Sequence, residues 1–230
     1  MVKRKKPQSL EALNIAAMFN NNSPAKCADD ICCNNDNDYD DEVYPPAEDT
    51  YLLLDAALAE SRSEDIVFEI GSGRGILSVE LALKVRRLIA TDINPNAILA
   101  TEARAAKRGM ADMIELVRAD LFNGISGCFD LVLFNPPYLP TNPEERTGGW
   151  IDYALDGGAN GRETVNEFLK DLRTHLFPGG RALLLISSRT GLKEVQETAS
   201  AFGLTAVVVA SERCFFEQLH VLRIAVTDSL

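Results

Sequence analysis

Basic side chains are what this 230-residue chain is short of. Lys and Arg number 23 against 34 Asp and Glu, for a formal net charge of −11. Gripping a phosphate backbone needs clustered cations, so strong nucleic-acid binding is not expected. Long apolar runs are missing too. None approaches the roughly 20 residues of a membrane span. The basic start from Lys3 to Lys6 leads into no apolar signal core, which makes a cytoplasmic location the default expectation. That run reads as a solvated tail rather than an RNA contact. Only two histidines occur, His175 and His220. The cysteines, Cys27, Cys32, Cys33, Cys128 and Cys214, are odd in number and irregularly spaced, which argues against a disulfide framework. Without a Cys-x2-Cys pair, Cys27, Cys32 and Cys33 read as free thiols and no metal site is expected.

What remains is 46% hydrophobic and 25% charged, enough for one domain with a full core. Residues 1–40 stand apart. Asn20-Asn21-Asn22-Ser23-Pro24 and Asn34-Asn35-Asp36-Asn37-Asp38 are polar and turn-rich, so this stretch reads as a disordered tail with at most a short helix over Leu10 to Phe19. Residues 41–230 read as the folded domain. Tyr44-Pro45-Pro46-Ala47-Glu48-Asp49-Thr50 suits a helix N-terminus. Strands then alternate with helices: Ile66–Ile70, Leu88–Thr91, Ile114–Val117, Phe129–Phe134 and Ala182–Ile186 as strands, with helices over Ile76–Lys84, Pro95–Arg108, Glu163–Leu176 and Leu192–Phe202. This predicts an α/β fold with helices on both faces of a parallel sheet. Ala206–Ala210 and Val221–Val226 follow with no helix between them, which predicts a C-terminal antiparallel hairpin and seven strands.

Asn135-Pro136-Pro137-Tyr138 closes the fourth strand, where open α/β sheets place their chemistry. Two prolines fix φ and remove two donors. The acceptors left are the Asn135 side-chain carbonyl and the Pro136 backbone carbonyl, beside the face of Tyr138. That set suits a planar –NH2 group, with two acceptors for its N–H bonds and a ring for its flat face. Asn135, Pro136 and Tyr138 are therefore the candidate catalytic residues, and Pro137 completes a substrate-binding turn.

Gly71-x-Gly73-x-Gly75 joins the first strand to a helix, and Asp92 ends the next strand at the offset of a ribose-hydroxyl acceptor. Dinucleotides and S-adenosylmethionine both use this layout. Glu69 would repel a pyrophosphate but suits the cationic sulfonium and amino groups of S-adenosylmethionine. Asp120, after the third strand, could accept an adenine amine. The terminal hairpin also disfavours a dinucleotide fold.

These stretches resemble the class I S-adenosylmethionine-dependent methyltransferases with their Rossmann-like sheet. Within them, the chain is similar to the HemK/PrmC-type protein-glutamine methyltransferases of class 1 peptide-chain release factors. The resemblance rests on Val43-Tyr44-Pro45-Pro46-Ala47-Glu48-Asp49-Thr50, Glu69-Ile70-Gly71-Ser72-Gly73, Thr91-Asp92-Ile93-Asn94-Pro95, Asp120-Leu121, the N-P-P-Y turn, and Asp156-Gly157-Gly158-Ala159-Asn160-Gly161-Arg162-Glu163. The E-D-T start is more like the archaeal and eukaryotic branch than the bacterial one.

The resemblance implies methylation of the glutamine nitrogen in a Gly-Gly-Gln motif. It implies cofactor contacts at Thr50, Glu69, Gly71, Ser72, Gly73, Asp92, Ile93, Asp120, Leu121 and Asn135. It also implies a small zinc-binding activator subunit added at the strand Ile114–Val117. That strand is expected at the sheet edge, where an unpaired apolar ladder needs covering. A chain working alone or as a homodimer is the competing expectation. The alternative activity is a nucleic-acid amino-methyltransferase acting on adenine or cytosine of RNA or DNA, whose exocyclic amines are also planar. A scaffold without activity is a further alternative. The loop from Thr141 to Gly161, with Glu144, Glu145, Asp152, Asp156 and Trp150, reads as a substrate gate or as a solvated acidic loop.

Overall fold

The computed structural model describes residues 42–142, 144 and 146–227. The expectations for residues 1–40, including Cys27, Cys32 and Cys33, and for Glu145 lie outside these residues.

Seven strands form one sheet in the order β3-β2-β1-β4-β5-β7-β6. They are β1 (Ile66–Ile70), β2 (Arg87–Asp92), β3 (Ile114–Arg118), β4 (Phe129–Phe134), β5 (Leu176–Ser187), β6 (Leu204–Arg213) and β7 (Gln218–Val226). The first five pair in parallel, and β7 runs antiparallel to both β5 and β6. The expected seven-stranded sheet and terminal hairpin are both present. The helices are α1 (Glu48–Glu60), α2 (Ile76–Ala82), α3 (Pro95–Lys107), the short α4 (Asp152–Leu155), α5 (Glu163–Leu172) and α6 (Leu192–Ala201). None of the described helices is long and apolar enough to cross a membrane.

Period-two alternation divides the core. Val67, Leu131, Leu133 and Leu183 pack with α1 and α2 on one face. Phe68, Val132, Phe134 and Leu184 pack with α5 and α6 on the other. Each large side chain buried this fully contributes about 1.5–3 kcal/mol. Strands buried on both faces read as continuous apolar runs, which is why Phe129–Phe134 is legible at its true length.

Local chemistry sets the helix ends nearest the site. Asn94 caps α3 by accepting from Asn96 N at 2.9 Å, with Pro95 in the first turn. Gly109 beyond its end has φ +69°, as the helix stop there requires.

Several boundaries differ from expectation. The helix expected to reach Leu176 ends at Leu172 and tightens into a 3-10 turn over Arg173–His175, where Thr174 Oγ1 donates to Asp171 O at 2.8 Å. Leu176 instead pairs with Phe129 and opens β5. Pro178-Gly179-Gly180 lies inside β5 rather than in a loop, because a register shift between Phe129 and Leu131 removes the ladder bonds a proline could not make. The hairpin strands run longer than expected, adding the polar, exposed Ser211-Glu212-Arg213 at one end and the buried Leu204 and Leu219 elsewhere.

β3 is an edge strand paired only with β2. Val117 is 39% exposed there, and Arg87 holds Glu115 at 2.7 Å beside it.

Candidate active site

β1 and β4 are neighbours with Ile70 opposite Phe134, and the strand order changes direction between them. Gly71 and Asn135 therefore leave the sheet side by side. A Cβ on Gly71 would lie 3.9 Å from the Asn135 carbonyl oxygen.

The glycine turn is hooked onto β2. Gly71 N and Ser72 N both donate to Thr91 O, at 2.8 and 2.9 Å. Gly73 N donates to Asp92 Oδ2 at 3.0 Å and Asn94 N to Oδ1 at 2.9 Å. Burial pushes the Asp92 carboxyl above its ordinary value, opposed by the backbone N–H groups of Gly73, Asn94 and Ile93. Gly71 and Gly73 have φ of +73° and +53°, a region costly for other residues. Gly75 serves packing: its Cβ would meet Thr101 of α3 at 2.9 Å.

Glu69 is the penultimate residue of β1 rather than its end, and it is 3% exposed. Ser78 of α2 donates to its carboxylate. Desolvation pushes the carboxyl up to about 8, with Asp92 adding repulsion and the Ser78 bond opposing.

The N-P-P-Y turn is built around Asp49, a residue not among the expected site residues. Asp49, in the first turn of α1, is 3% exposed. Its Oδ2 accepts from Tyr44 Oη at 3.1 Å, Asn135 Nδ2 at 3.1 Å and Tyr138 Oη at 3.4 Å. Its Oδ1 accepts from Thr50 N at 2.6 Å and Thr50 Oγ1 at 3.2 Å. A carboxylate only accepts, so the Asn135 amide must turn its nitrogen inward. Its Oδ1 is left buried with no hydrogen-bond partner. Such an atom costs about 1–3 kcal/mol unless a donor reaches it. Both phenols are pushed well above their ordinary value, first by burial and next by the charge of Asp49.

Two further segments frame this end of the sheet. Glu42 O accepts from Asn94 Nδ2 at 2.7 Å, and Val43 O accepts from the Arg74 guanidinium at 3.2 Å. The loop after N-P-P-Y crosses to the same place. Trp150 N donates to Glu42 Oε2 at 3.0 Å, and the Arg118 guanidinium lies 5.3 Å over the Trp150 ring. Arg118 itself donates to Ile93 O at 3.0 Å. Trp150 is thus half-buried and tied to the surface. The D-G-G-A-N-G stretch backs the N-P-P-Y turn: Gly157 N donates to Leu139 O at 2.9 Å, and a Cβ on Gly161 would sit 2.4 Å from Tyr138 O.

Of the expected cofactor residues, Thr50 and Asn135 meet at Asp49, while Gly71, Ser72 and Gly73 are bonded to the end of β2 at Thr91 and Asp92. Ile93 follows Asp92 directly. Asp120 is exposed past the end of β3, and Leu121 beside it has φ +49°, an unusual backbone for leucine. Both histidines are elsewhere. His175 stacks on Phe122 at 4.3 Å, and His220 lies in β7 against Ser211. Asp49, Tyr44, Glu42 and Thr101 were not singled out. The E-D-T segment was the one available signal for Asp49, but the carboxylate's partner Asn135 lies 86 positions away.

Residues 48–147 match the Methyltransferase small domain family. A putative protein N5-glutamine methyltransferase of Methanocaldococcus jannaschii is 37% identical over 182 residues, covering 79% of this chain and 90% of the relative. The chain belongs to the protein N5-glutamine methyltransferase family. Methyltransferase HEMK2 of Mus musculus is 38% identical, with 79% and 89% covered. Among solved structures, a chain of the E. cuniculi Mtq2–Trm112 complex, responsible for methylation of the translation termination factor eRF1, superposes with a TM-score of 0.66. It is 26% identical and covers 80% of this chain and 99% of its own.

Family membership implies a methyl donor of the S-adenosylmethionine type, and the methyltransferase's residues fit one. Gly71 and Gly73 keep the backbone bare, with nothing within 4 Å of a Cβ on Gly73. Asp92 and Asp120 offer carboxylates suited to hydroxyl or amine donors, and Glu69, raised to about 8, gains a charge suited to a cation when it ionises; none of the three suits a pyrophosphate.

Proposed function

We propose that this protein transfers a methyl group from S-adenosyl-L-methionine to the side-chain nitrogen of the glutamine in the Gly-Gly-Gln motif of a class 1 peptide-chain release factor. The observation that carries this reading is the buried, unpartnered Asn135 Oδ1, held in that orientation by Asp49. A primary carboxamide N–H fits the orphan acceptor, the Pro136 carbonyl takes the other N–H, and the Tyr138 ring packs on the amide plane.

S-adenosylmethionine, when bound, supplies a methyl group made electrophilic by the sulfonium charge. The chain's own part is positioning. A carboxamide nitrogen is a poor nucleophile because its lone pair is delocalised, so alignment has to supply much of the rate. Thr50 would meet the methionine carboxylate and Glu69 the cationic end. Gly71, Ser72 and Gly73 would line the cofactor's path, Asp92 with Ile93 would take the ribose, and Asp120 with Leu121 the adenine. Residues 41–230 would form the catalytic domain.

A nucleic-acid amine is not favoured as the acceptor. The relatives act on protein glutamine, and the −11 net charge opposes a phosphate backbone. We assign the β3 edge to a small zinc-binding activator subunit, in line with the Trm112 partner of the E. cuniculi protein. Release factors work in the cytoplasm, which is where this reading puts the enzyme. The experiment is transfer of labelled methyl into a matched release factor. Label is expected in the intact factor and absent when the motif Gln is replaced by Ala. Label that persists in the Gln→Ala factor overturns the substrate assignment.

A further inference from the structure

The β6–β7 hairpin carries an aromatic pair the cofactor site does not use. Phe215 is 91% exposed and Phe216 70%, and their rings meet edge to face at 4.6 Å. Two adjacent phenylalanines this open to water are unusual on a free surface and point to a partner. Their support is firm. Cys214 N donates to Glu217 O at 2.9 Å across the tip, and Ser188 N donates to Gln218 O at 2.7 Å at its base. Ser187 Oγ donates to the Glu217 carboxylate.

The tip stands at the catalytic end of the sheet. β5 runs parallel to β4, and Ser187 at its C-terminal end pairs with Leu219 of β7. The turn from Cys214 to Glu217 therefore projects past the same edge as Asn135. Cys214 packs on the core cluster that contains Tyr138. Glu217 lies close enough to raise the Tyr44 and Tyr138 phenols, and Glu48, Glu212 and Glu217 all act on the Cys214 thiol. The rim is thus an apolar knob among carboxylates, with Arg213 the one cation of the tip.

We propose that Phe215 and Phe216 are the docking knob for the protein that presents the methyl-accepting glutamine, seated in an apolar recess of a basic surface on that protein. The proposal rests on the functional reading above. A free amino acid or short amide has nothing to place on the knob. A folded protein inserting one loop at Asn135 must lay its flank against the neighbouring rim. The surrounding carboxylates select a basic flank and disfavour an anionic bilayer.

The test is a steady-state comparison of the full-length wild type with the Phe215→Ser/Phe216→Ser double variant on the release factor. Both side chains are exposed, so the fold and the cofactor Kd are expected to hold. KM for the factor is expected to rise at least tenfold, with kcat within twofold. An active wild type and an unchanged KM in the variant overturn the docking proposal alone. A wild type co-expressed with the small zinc-binding subunit and still inactive on the factor overturns the functional reading, and the docking proposal with it. A photo-crosslinker at Phe216, with S-adenosylhomocysteine present, is expected to capture the release factor near its Gly-Gly-Gln loop. Capture only of a second copy of this chain overturns the proposal.

Discussion

Asp49 Oδ2 holds Asn135 Nδ2 at 3.1 Å, and this one bond decides which end of the amide is left without a partner. The first helix thereby sets the chemistry of the fourth strand's turn. Asp49→Asn keeps the shape but offers a donor where only an acceptor stood. Asn135 is then free to present its nitrogen outward. A fall in kcat of roughly 100-fold is expected, the scale of losing one preorganised hydrogen-bonding group. Cofactor Kd should change far less. Single-turnover kinetics with calorimetric Kd separates the two.

Asn135→Ala removes the acceptor itself. Asp49 keeps Tyr44, Tyr138 and Thr50 as donors, so folding loses little. Activity on the release factor should vanish while the melting temperature stays within a few degrees. Near-full activity in this variant would end the argument from the N-P-P-Y turn. The fall should be in kcat, the mark of an interaction made at the transition state.

Asp92 has two jobs, since both its oxygens already hold the backbone of the glycine turn. Asp92→Ala should weaken cofactor binding by roughly 1–3 kcal/mol through lost charge-assisted hydrogen bonds. Part of that loss comes from a looser Gly73. Backbone amide shifts at Gly73 in the cofactor-free variant would register it.

Glu69 links the site to pH. Its carboxyl is raised to about 8 in the folded protein from an ordinary value of 4.5. An acid raised on folding contributes stability that is fully present below 4.5 and is lost as pH rises through 8. Glu69→Gln should flatten the fall in melting temperature across that window and make the variant the more stable chain at its upper end. The same ionisation favours a cationic ligand. Cofactor affinity should therefore rise with pH toward 8, with proton release seen as buffer-dependent binding heat. An equally steep pH dependence in Glu69→Gln would remove Glu69 from both roles.

The β3 edge makes a separate prediction. The isolated chain should show low solubility or activity, rescued by co-expression with the small zinc-binding subunit. Leu116→Lys should abolish the rescue and leave cofactor Kd unchanged, because Leu116 lies at the edge and makes no bond in the glycine turn or the Asp49 cluster. A soluble, fully active monomer indifferent to the subunit would refute the assignment.

Much of this architecture could be read in advance because it depends on near neighbours. Apolar runs marked β1 and β4, and glycines and prolines marked the turns after them. The expected cofactor positions sit around strand ends for the same reason, since a parallel sheet puts successive loops at one end. Asp49 was hidden because its meaning depends on Tyr44, Asn135 and Tyr138 arriving together from three segments. Trp150 was ambiguous until Glu42 and Arg118 supplied its partners. The helix expected to run to Leu176 failed at a competition between local pattern and the ladder contact with Phe129. The knob at Phe215 and Phe216 was passed over, since a hairpin tip has no period to read.

The pairing of Ile70 with Phe134 has a consequence for tolerance to change. Donor loop and acceptor turn are spaced by backbone register, so their alignment is graduated in whole residues. Sliding β4 by one position would turn Asn135 toward the opposite layer and bury its amide among the phenylalanines. No small distortion lies between a correct site and an inverted one. The segment before α1 and the Trp150 loop lie outside that register, so insertions there leave the spacing of donor loop and acceptor turn unchanged.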